Sequence, residues 1–183
     1  NITNDYILSI GSIHLRKNLM TLIRVFKSSD LFKEGFKLVI AGNKEGKRQN
    51  HYLELRALAE RLELSDSIVF LGNVDYEEVQ HLYNCARCMI SLSEYEGFPQ
   101  VFLEAMTFGV PVICGRNSSF EEVVGSAGHY IDIKDVIQIK KTLRQVTLNE
   151  SDNKINEGFR QSAKFEKRES VKSIVSIYEN TVY

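Results

Sequence analysis

The sequence predicts an α/β domain, a doubly wound parallel sheet of about six strands with helices on both faces. Three observations lead there. Short, continuous apolar runs recur along the chain, amphipathic helical stripes fall between them, and most of the runs stop at a glycine. Strands buried on both faces read as unbroken apolar runs because helices cover each side.

Asn1 to Asp5 is polar and reads as the end of a linker. Tyr6 to Ile10 is the first apolar run and closes at Gly11. Leu19, Leu22, Ile23 and Phe26 then share one helical face, with Asn18 as the predicted N-cap. Arg16 and Lys17 fall in the loop before that helix, at the carboxyl end of a strand, where open α/β sheets bind ligands. Lys37 to Ala41 is the second strand, closed by Gly42, and Asn43 to Asn50 reads as a flexible polar loop beside the same edge. Tyr52, Leu55, Leu58, Ala59 and Leu62 make a second helical stripe, of the kind that packs a core. Ile68 to Leu71 is the third strand, ending at Gly72, and a short helix over Tyr76 to Asn84 follows, capped by Asp75 with Val79, Leu82 and Tyr83 inward. Cys88 to Leu92 is the fourth strand, Val112 to Cys114 the fifth and His129 to Ile131 the last. Phe120 to Val124 reads as a short helix ended by Gly125, and Ser119 with Glu122 has capping-box spacing. Helical patterns then run through Val136, Ile137, Ile139, Leu143 and Val146, and again through Val171, Ile174, Val175 and Tyr178.

The 183 residues fit a single domain over the whole chain, with a substantial core. Hydrophobic residues at 43% and charged residues at 26% are those of a soluble globular protein. The net charge is −1 and no basic stripe is interleaved with aromatics, which argues against nucleic acid as a partner. No apolar run has the length to cross a bilayer, and no signal peptide is visible. Cys85 and Cys88 form a lone CxxC and Cys114 stands apart, so buried reduced thiols in a cytoplasmic protein are expected. His14, His51, His81 and His129 show no metal-ligand spacing, although His14 stands in the ligand-side loop. The chain starts at Asn1 with its first strand a few residues on, so an excised domain is expected.

The stretch richest in chemistry runs from Ser93 to Met106. The fourth strand breaks at Gly97 and Pro99 and becomes an apolar helix ending at Gly109. A strand, a tight turn and a helix N-terminus together make an anion site, because the first backbone amides of a helix lack internal partners. Two carboxylates flank that turn, Glu96 and Glu104, with seven residues between them. Glu104 has Val101, Phe102, Leu103, Ala105, Met106 and Phe108 around it. A carboxylate in that setting is either paired with a cation, for which Arg16 and Lys17 are candidates, or hydrogen-bonded to something bound. Glu96 reads equally as a solvated loop charge or as a ligand-binding group.

Glu96-x7-Glu104, set in Glu-Gly-Phe-Pro-Gln-Val-Phe-Leu-Glu-Ala-Met, resembles the E-x7-E signature of the retaining GT-B glycosyltransferases of family 4. Four further stretches match in order. Ile10-Gly11-Ser12 with Arg16-Lys17-Asn18-Leu19 resembles the family's first strand and phosphate-binding basic pair, and Leu38 to Gly42 its second strand and glycine loop. Val69 to Val74 and Gly109 to Ile113 complete the set, so the resemblance spans roughly Tyr6 to Tyr183.

That resemblance implies a Rossmann-like domain forming the C-terminal, donor-binding half of a GT-B enzyme, with an N-terminal acceptor domain in the rest of the protein. It implies a nucleotide sugar as substrate, a UDP-hexose or UDP-N-acetylhexosamine, and a glycan or lipid-linked acceptor. It also implies catalysis without a metal ion or cofactor, and allows peripheral membrane association of the full-length enzyme. Glu96 would hold donor-sugar hydroxyls near the anomeric centre and Glu104 would accept from the ribose. Lys17 and Arg16 would neutralise the departing diphosphate, with amides near Gly97, Phe98 and Gln100 adding to them. Gly42, Asn73 and Val74 would border the nucleotide. Three positions depart from the family pattern: Ser12 stands where an arginine is common, Pro99 where glycine is common, and Arg87 where aspartate is usual. The alternatives are a non-catalytic nucleotide-binding or interaction module, and another GT-B enzyme such as a sugar-nucleotide epimerase.

Overall fold

Each strand of this protein alternates its side chains between two covered faces, and that alternation fixes where the helices must lie. The computed structural model describes residues 6–117, 119–149 and 154–165. Its strands are β1 (Tyr6–Ile10), β2 (Lys37–Ala41), β3 (Ile68–Phe70), β4 (Ala86–Ser91), β5 (Val112–Gly115) and β6 (Gly128–Ile131). They form one sheet in the order β3-β2-β1-β4-β5-β6, and every pairing is parallel. The chain winds outward from β1 to β3, crosses back to β4, and winds outward again to β6. The order therefore reverses between β1 and β4, and a doubly wound sheet opens a ligand crevice at the carboxyl ends of such a pair.

Ile7, Leu38, Ile40, Cys88, Ile90 and Ile113 point to one face. There they pack under α1 (Leu19–Ser29), α2 (Gln49–Arg61) and α6 (Val136–Leu148). Tyr6, Leu8, Val39, Ala41, Met89, Val112 and Cys114 point to the other face, under α3 (Tyr76–Cys85), α4 (Gln100–Thr107) and α5 (Phe120–Val124). A last helix, α7 (Lys154–Ala163), lies on α4 and α5. It does so through apolar, small and polar residues: Ile155 and Phe159 approach Gly109, Gly158 abuts Met106, and the buried Gln161 amide donates to the carbonyls of Glu122 and Val123 at 2.9 and 3.2 Å.

Several local expectations change. Asn18 does not cap α1 with its side chain. It adopts a left-handed conformation (φ 51°) and its amide donates to the Leu15 carbonyl, closing a 3-10 turn over Leu15–Lys17. Ser119 makes no capping bond to α5; its hydroxyl donates instead to the Glu96 carbonyl at 2.9 Å. The segment expected as a loop over Asn43 to Asn50 contains a 3-10 turn at Gly46–Arg48 and the start of α2. Pro99 precedes α4 as its N-cap rather than opening it, and α4 ends at Thr107. Val136 and Ile137, expected on the inner stripe, are 47% and 81% exposed, while Ile139, Leu143 and Val146 are buried as expected. Asp75 does cap α3, in a full capping box with Glu78. Asn1 to Asp5 and the stripe from Val171 to Tyr178 lie outside the described residues.

The centre of β4 carries the packing of both faces. Ile90 is fully buried, so Ile90→Ala should lower the unfolding free energy by about 2–5 kcal/mol, the range for large-to-small changes in a close-packed core. Urea titration followed by circular dichroism reads it, and a loss under about 1 kcal/mol would contradict the packing described.

Candidate functional site

Three glycines bring the strand ends close enough to make a shelf. Gly11, Gly42 and Gly72 follow β1, β2 and β3, and their backbones bond in sequence: Gly11 N–H to the Ala41 carbonyl, Gly42 N–H to the Gly72 carbonyl. A Cβ at Gly42 would sit 2.0 Å from the Gly11 carbonyl oxygen, so no other residue fits there. A Cβ at Gly11 would meet the Lys17 ammonium at 2.8 Å. The lysine stem thus lies across a bare backbone.

Lys17 reaches over Gly11 to Glu96. Its ammonium binds Glu96 Oε1, and Arg16 Nη1 binds Glu96 Oε2 at 3.0 Å and the Tyr95 carbonyl at 2.6 Å. The loops also join through backbone, since Glu94 N–H donates to the Arg16 carbonyl at 2.9 Å. From the β5–α5 connection, Asn117 donates its amide to the Ser93 and Glu94 carbonyls, and Ser119 holds the Glu96 carbonyl. Three loops therefore meet at Glu96, two cations on its carboxylate and Asn117 and Ser119 on the backbone around it. Burial acts to raise the Glu96 pKa, but hydrogen bonds from Lys17, Arg16 and Ser93 outweigh it and hold the group below the usual carboxylate range. The side chains of Lys17 and Glu96 are each 13% exposed and that of Arg16 is 42% exposed, so the pair is sheltered and the guanidinium stands at its rim.

Glu104 lies elsewhere on the same unit. It is not paired with Arg16 or Lys17, the cations considered for it; its oxygens accept from the Tyr83 hydroxyl at 3.1 Å and from the Gln100 side-chain amide at 2.8 Å. Burial first, and then the charge of Glu104, push the Tyr83 phenol well above its ordinary value, so it stays a donor. The Tyr83 ring stacks on Phe108 with centroids 5.5 Å apart, which fixes the hydroxyl.

The turn before α4 offers fewer amides than the sequence suggests. Pro99 has none, and the Gln100 N–H donates back to the Phe98 carbonyl at 2.9 Å, so Gln100 cannot give its amide to a ligand in this conformation. Among the described residues, the Gly97 and Phe98 amides have no acceptor. Both residues are exposed, with Phe98 leaning on Phe165. Asn73 and Val74 follow β3 at the same edge and line a cavity of about 610 Å3 with Tyr6, Leu71 and Leu82. No described contact joins them to the Glu96 group, although the glycine shelf runs between the two.

Sequence reasoning missed Tyr83, Asn117 and Ser119. Tyr83 was legible as an inward helical residue but not as the partner of Glu104, because that contact spans two elements. Asn117 and Ser119 carry local turn and cap signals that hide their long-range bonds. Of the cysteines, Cys88 and Cys114 are buried, whereas Cys85 is only half-buried at the end of α3; burial pushes the Cys114 thiol up to about 12. Among the described residues, no three His, Cys, Asp or Glu side chains are placed to hold a metal ion, and no helix is long and apolar enough to cross a membrane.

A model of the family described as "Glycosyl transferases group 1" matches residues 1–164. The chain belongs to this family. A Klebsiella pneumoniae relative matches over 178 residues, 95% of this chain, at 27% identity. O-antigen chain mannosyltransferase B of Escherichia coli is 34% identical over 147 residues, covering 80% of this chain and 38% of that protein. An O-antigen chain mannosyltransferase of Salmonella typhimurium is 28% identical over 131 residues, covering 72% of this chain and 35% of the relative. The chain thus spans less than half the length of these family members. The fold is that of half a GT-B protein. Sucrose-phosphate synthase from Thermosynechococcus elongatus superposes with a TM-score of 0.83 at 19% identity, over 97% of this chain and 45% of the other. An Anabaena protein solved in complex with UDP superposes with a TM-score of 0.80 at 17% identity, over 98% and 50%.

The Glu96 group has a pH signature. Because its folded pKa is depressed, its contribution to stability is full above the ordinary carboxylate range and is lost as pH falls through the depressed value. Lys17→Ala should destabilise the protein by about 1–3 kcal/mol near neutral pH, as for a hydrogen bond to a charged group. That deficit should narrow once the pH drops below about 4. Urea unfolding of both proteins across this window checks it; a constant deficit would dissociate the pair from stability.

Proposed function

We propose that this chain is the donor-binding, C-terminal half of a retaining glycosyltransferase that moves a hexose from a nucleoside-diphosphate sugar to a glycan or lipid-linked acceptor. The acceptor would be held by a further domain of a longer protein. The observation that carries this reading is the meeting of Lys17 and Arg16 with Glu96 at the switch-point edge of the sheet. Two cations face one carboxylate there, so the group keeps a positive excess that a diphosphate would neutralise.

In this reading the diphosphate draws Lys17 and Arg16 toward its oxygens, and Glu96 is released to accept hydrogen bonds from the sugar hydroxyls. The leaving diphosphate gains charge as the anomeric bond breaks, so cations placed beforehand lower the barrier. The Gly97 and Phe98 amides face the same turn and would add donors; Gln100 would act through its side chain, which holds Glu104 for the ribose. The exposed guanidinium of Arg16 would replace the arginine absent at Ser12. The shelf of Gly11, Gly42 and Gly72 lets the nucleotide lie against backbone on its way to Asn73 and Val74. No metal ion is needed in this scheme, because Lys17 and Arg16 carry the charge. The Gly97-Phe98-Pro99 turn suggests UDP as the nucleotide, and the names of two relatives suggest mannose among the hexoses.

In the full-length protein, Lys17→Ala, Glu96→Gln and Glu104→Ala should each reduce kcat/KM for transfer by about a hundredfold or more, the scale for removing one preorganised charge or donor. Titration calorimetry against UDP, GDP and ADP and their hexose conjugates assigns the donor. Unchanged turnover in Lys17→Ala would remove its phosphate role, and no binding to any nucleotide would favour an interaction module.

A further inference from the structure

A second group of cationic and imidazole side chains lines a cavity of about 460 Å3 between the loop after β1 and the start of α2. His14 and Leu15 come from the first segment, Lys47, Arg48 and His51 from the second, and Glu54 stands on the next turn of α2. Among the described residues, Arg48 Nε and His51 Nε2 are both buried and neither has a hydrogen-bond partner. A buried nitrogen in that state has given up water without replacement, and native structures hold few such groups. Two of them, on residues that line one cavity, point to a ligand whose oxygens would complete their bonding.

The hydrogen-bonding pattern gives the sign of that ligand. Arg48 Nε carries a hydrogen and never an acceptor pair. His51 Nδ1 lies 3.1 Å from Glu54 Oε2, so the Nδ1 hydrogen points to the carboxylate. Its Nε2 is an acceptor in the neutral ring and a second donor in the imidazolium, so it can meet either a protonated or an unprotonated phosphoryl oxygen. His14 Nδ1 accepts from the Arg16 amide at 3.3 Å, which leaves the His14 hydrogen on Nε2. Lys47 adds an ammonium. Among the described residues lining the cavity Glu54 is the one acid, and His51 already engages it.

We propose that this cavity binds a phosphoryl group, at a site separate from the Lys17–Arg16–Glu96 cluster. With Asn50, five nitrogen-bearing side chains line the space, and they suit a tetrahedral oxyanion, whose several oxygens each accept more than one bond, better than a planar carboxylate. Leu15, 70% exposed beside His14, offers an apolar rim for the organic part that carries the phosphoryl group. That part is a soluble molecule or a lipid, and the chemistry at the nitrogens is the same for both. The proposal does not depend on the sugar-transfer reading.

The test uses the full-length protein with 15N-labelled histidine and arginine, titrated with inorganic phosphate and, as a control, with sodium chloride at equal ionic strength. The His51 Nε2 and Arg48 Nε resonances should shift saturably with phosphate alone, equally in wild type and in Lys17→Ala. Arg48→Gln should weaken the response at His51 about tenfold or more, and the more exposed Lys47→Gln by less. No shift, a shift matched by chloride, or a shift lost in Lys17→Ala would overturn the site; the last would place the phosphate on the diphosphate cations. Sedimentation with phosphatidylglycerol and phosphatidylcholine vesicles then separates the sources. Preference for phosphatidylglycerol that falls in Lys47→Gln identifies a lipid headgroup, and equal sedimentation with a retained phosphate shift identifies a soluble phosphoryl ligand.

Discussion

Glu96 stays ionised although little of it meets water, and most of the molecule is arranged so that it can. A sheltered carboxylate is tolerable only with cations and donors held against it. Lys17 arrives because β1 and β4 are neighbours, although the two residues are far apart in sequence. It lies flat because Gly11 has no side chain, and Gly11 sits where it does because Gly42 lets the next backbone approach. Asn117 and Ser119 then pin the Glu96 loop from the far side. Strand order, glycine placement and loop bracing thus serve one electrostatic arrangement.

The two carboxylates of the signature differ in what holds them, and that difference suits different partners. Glu96 is held by charges, so a competing anion can displace it from Lys17 and Arg16. Glu104 is held by a phenol and an amide, neutral donors whose bonds a hydroxyl can replace with little change in charge. On the proposed reading, that difference lets a diphosphate free Glu96 for the sugar hydroxyls while Glu104 passes from its neutral donors to the ribose.

The sheet was readable because buried parallel strands leave a clear trace, short apolar runs that mostly end at glycine, and each of the six appears within a residue or two of where its run puts it. The basic pair was readable because its loop falls at a strand end, whereas Glu96 stands out only through the resemblance and its pairing with Lys17 and Arg16 was not legible. What escaped was whatever depends on contacts between distant segments. Ser119 fits the spacing of a capping residue and Asn18 the identity of one, yet tertiary partners or a left-handed backbone claim them instead. The docking of α7 escaped because Ile155 and Phe159 against Gly109 are joined by Gly158, Gln161 and Ser162, a mixture that does not read as an apolar stripe. The Gln100 amide looked available because nothing in the sequence reveals that the backbone after Phe98 turns back on itself.

That turn bears on how the site would fill. With Pro99 lacking an amide and Gln100 bonded to Phe98, the helix end presents fewer donors than a regular N-terminus. Backbone amides alone would hold a diphosphate poorly here, and the burden shifts to side-chain cations. Lys17 and Arg16 are already ordered by Glu96, so little side-chain entropy remains to be lost when an anion takes over their bonds. On the proposed reading, a carboxylate that would otherwise obstruct phosphate binding is the group that keeps the cations in place for the phosphate.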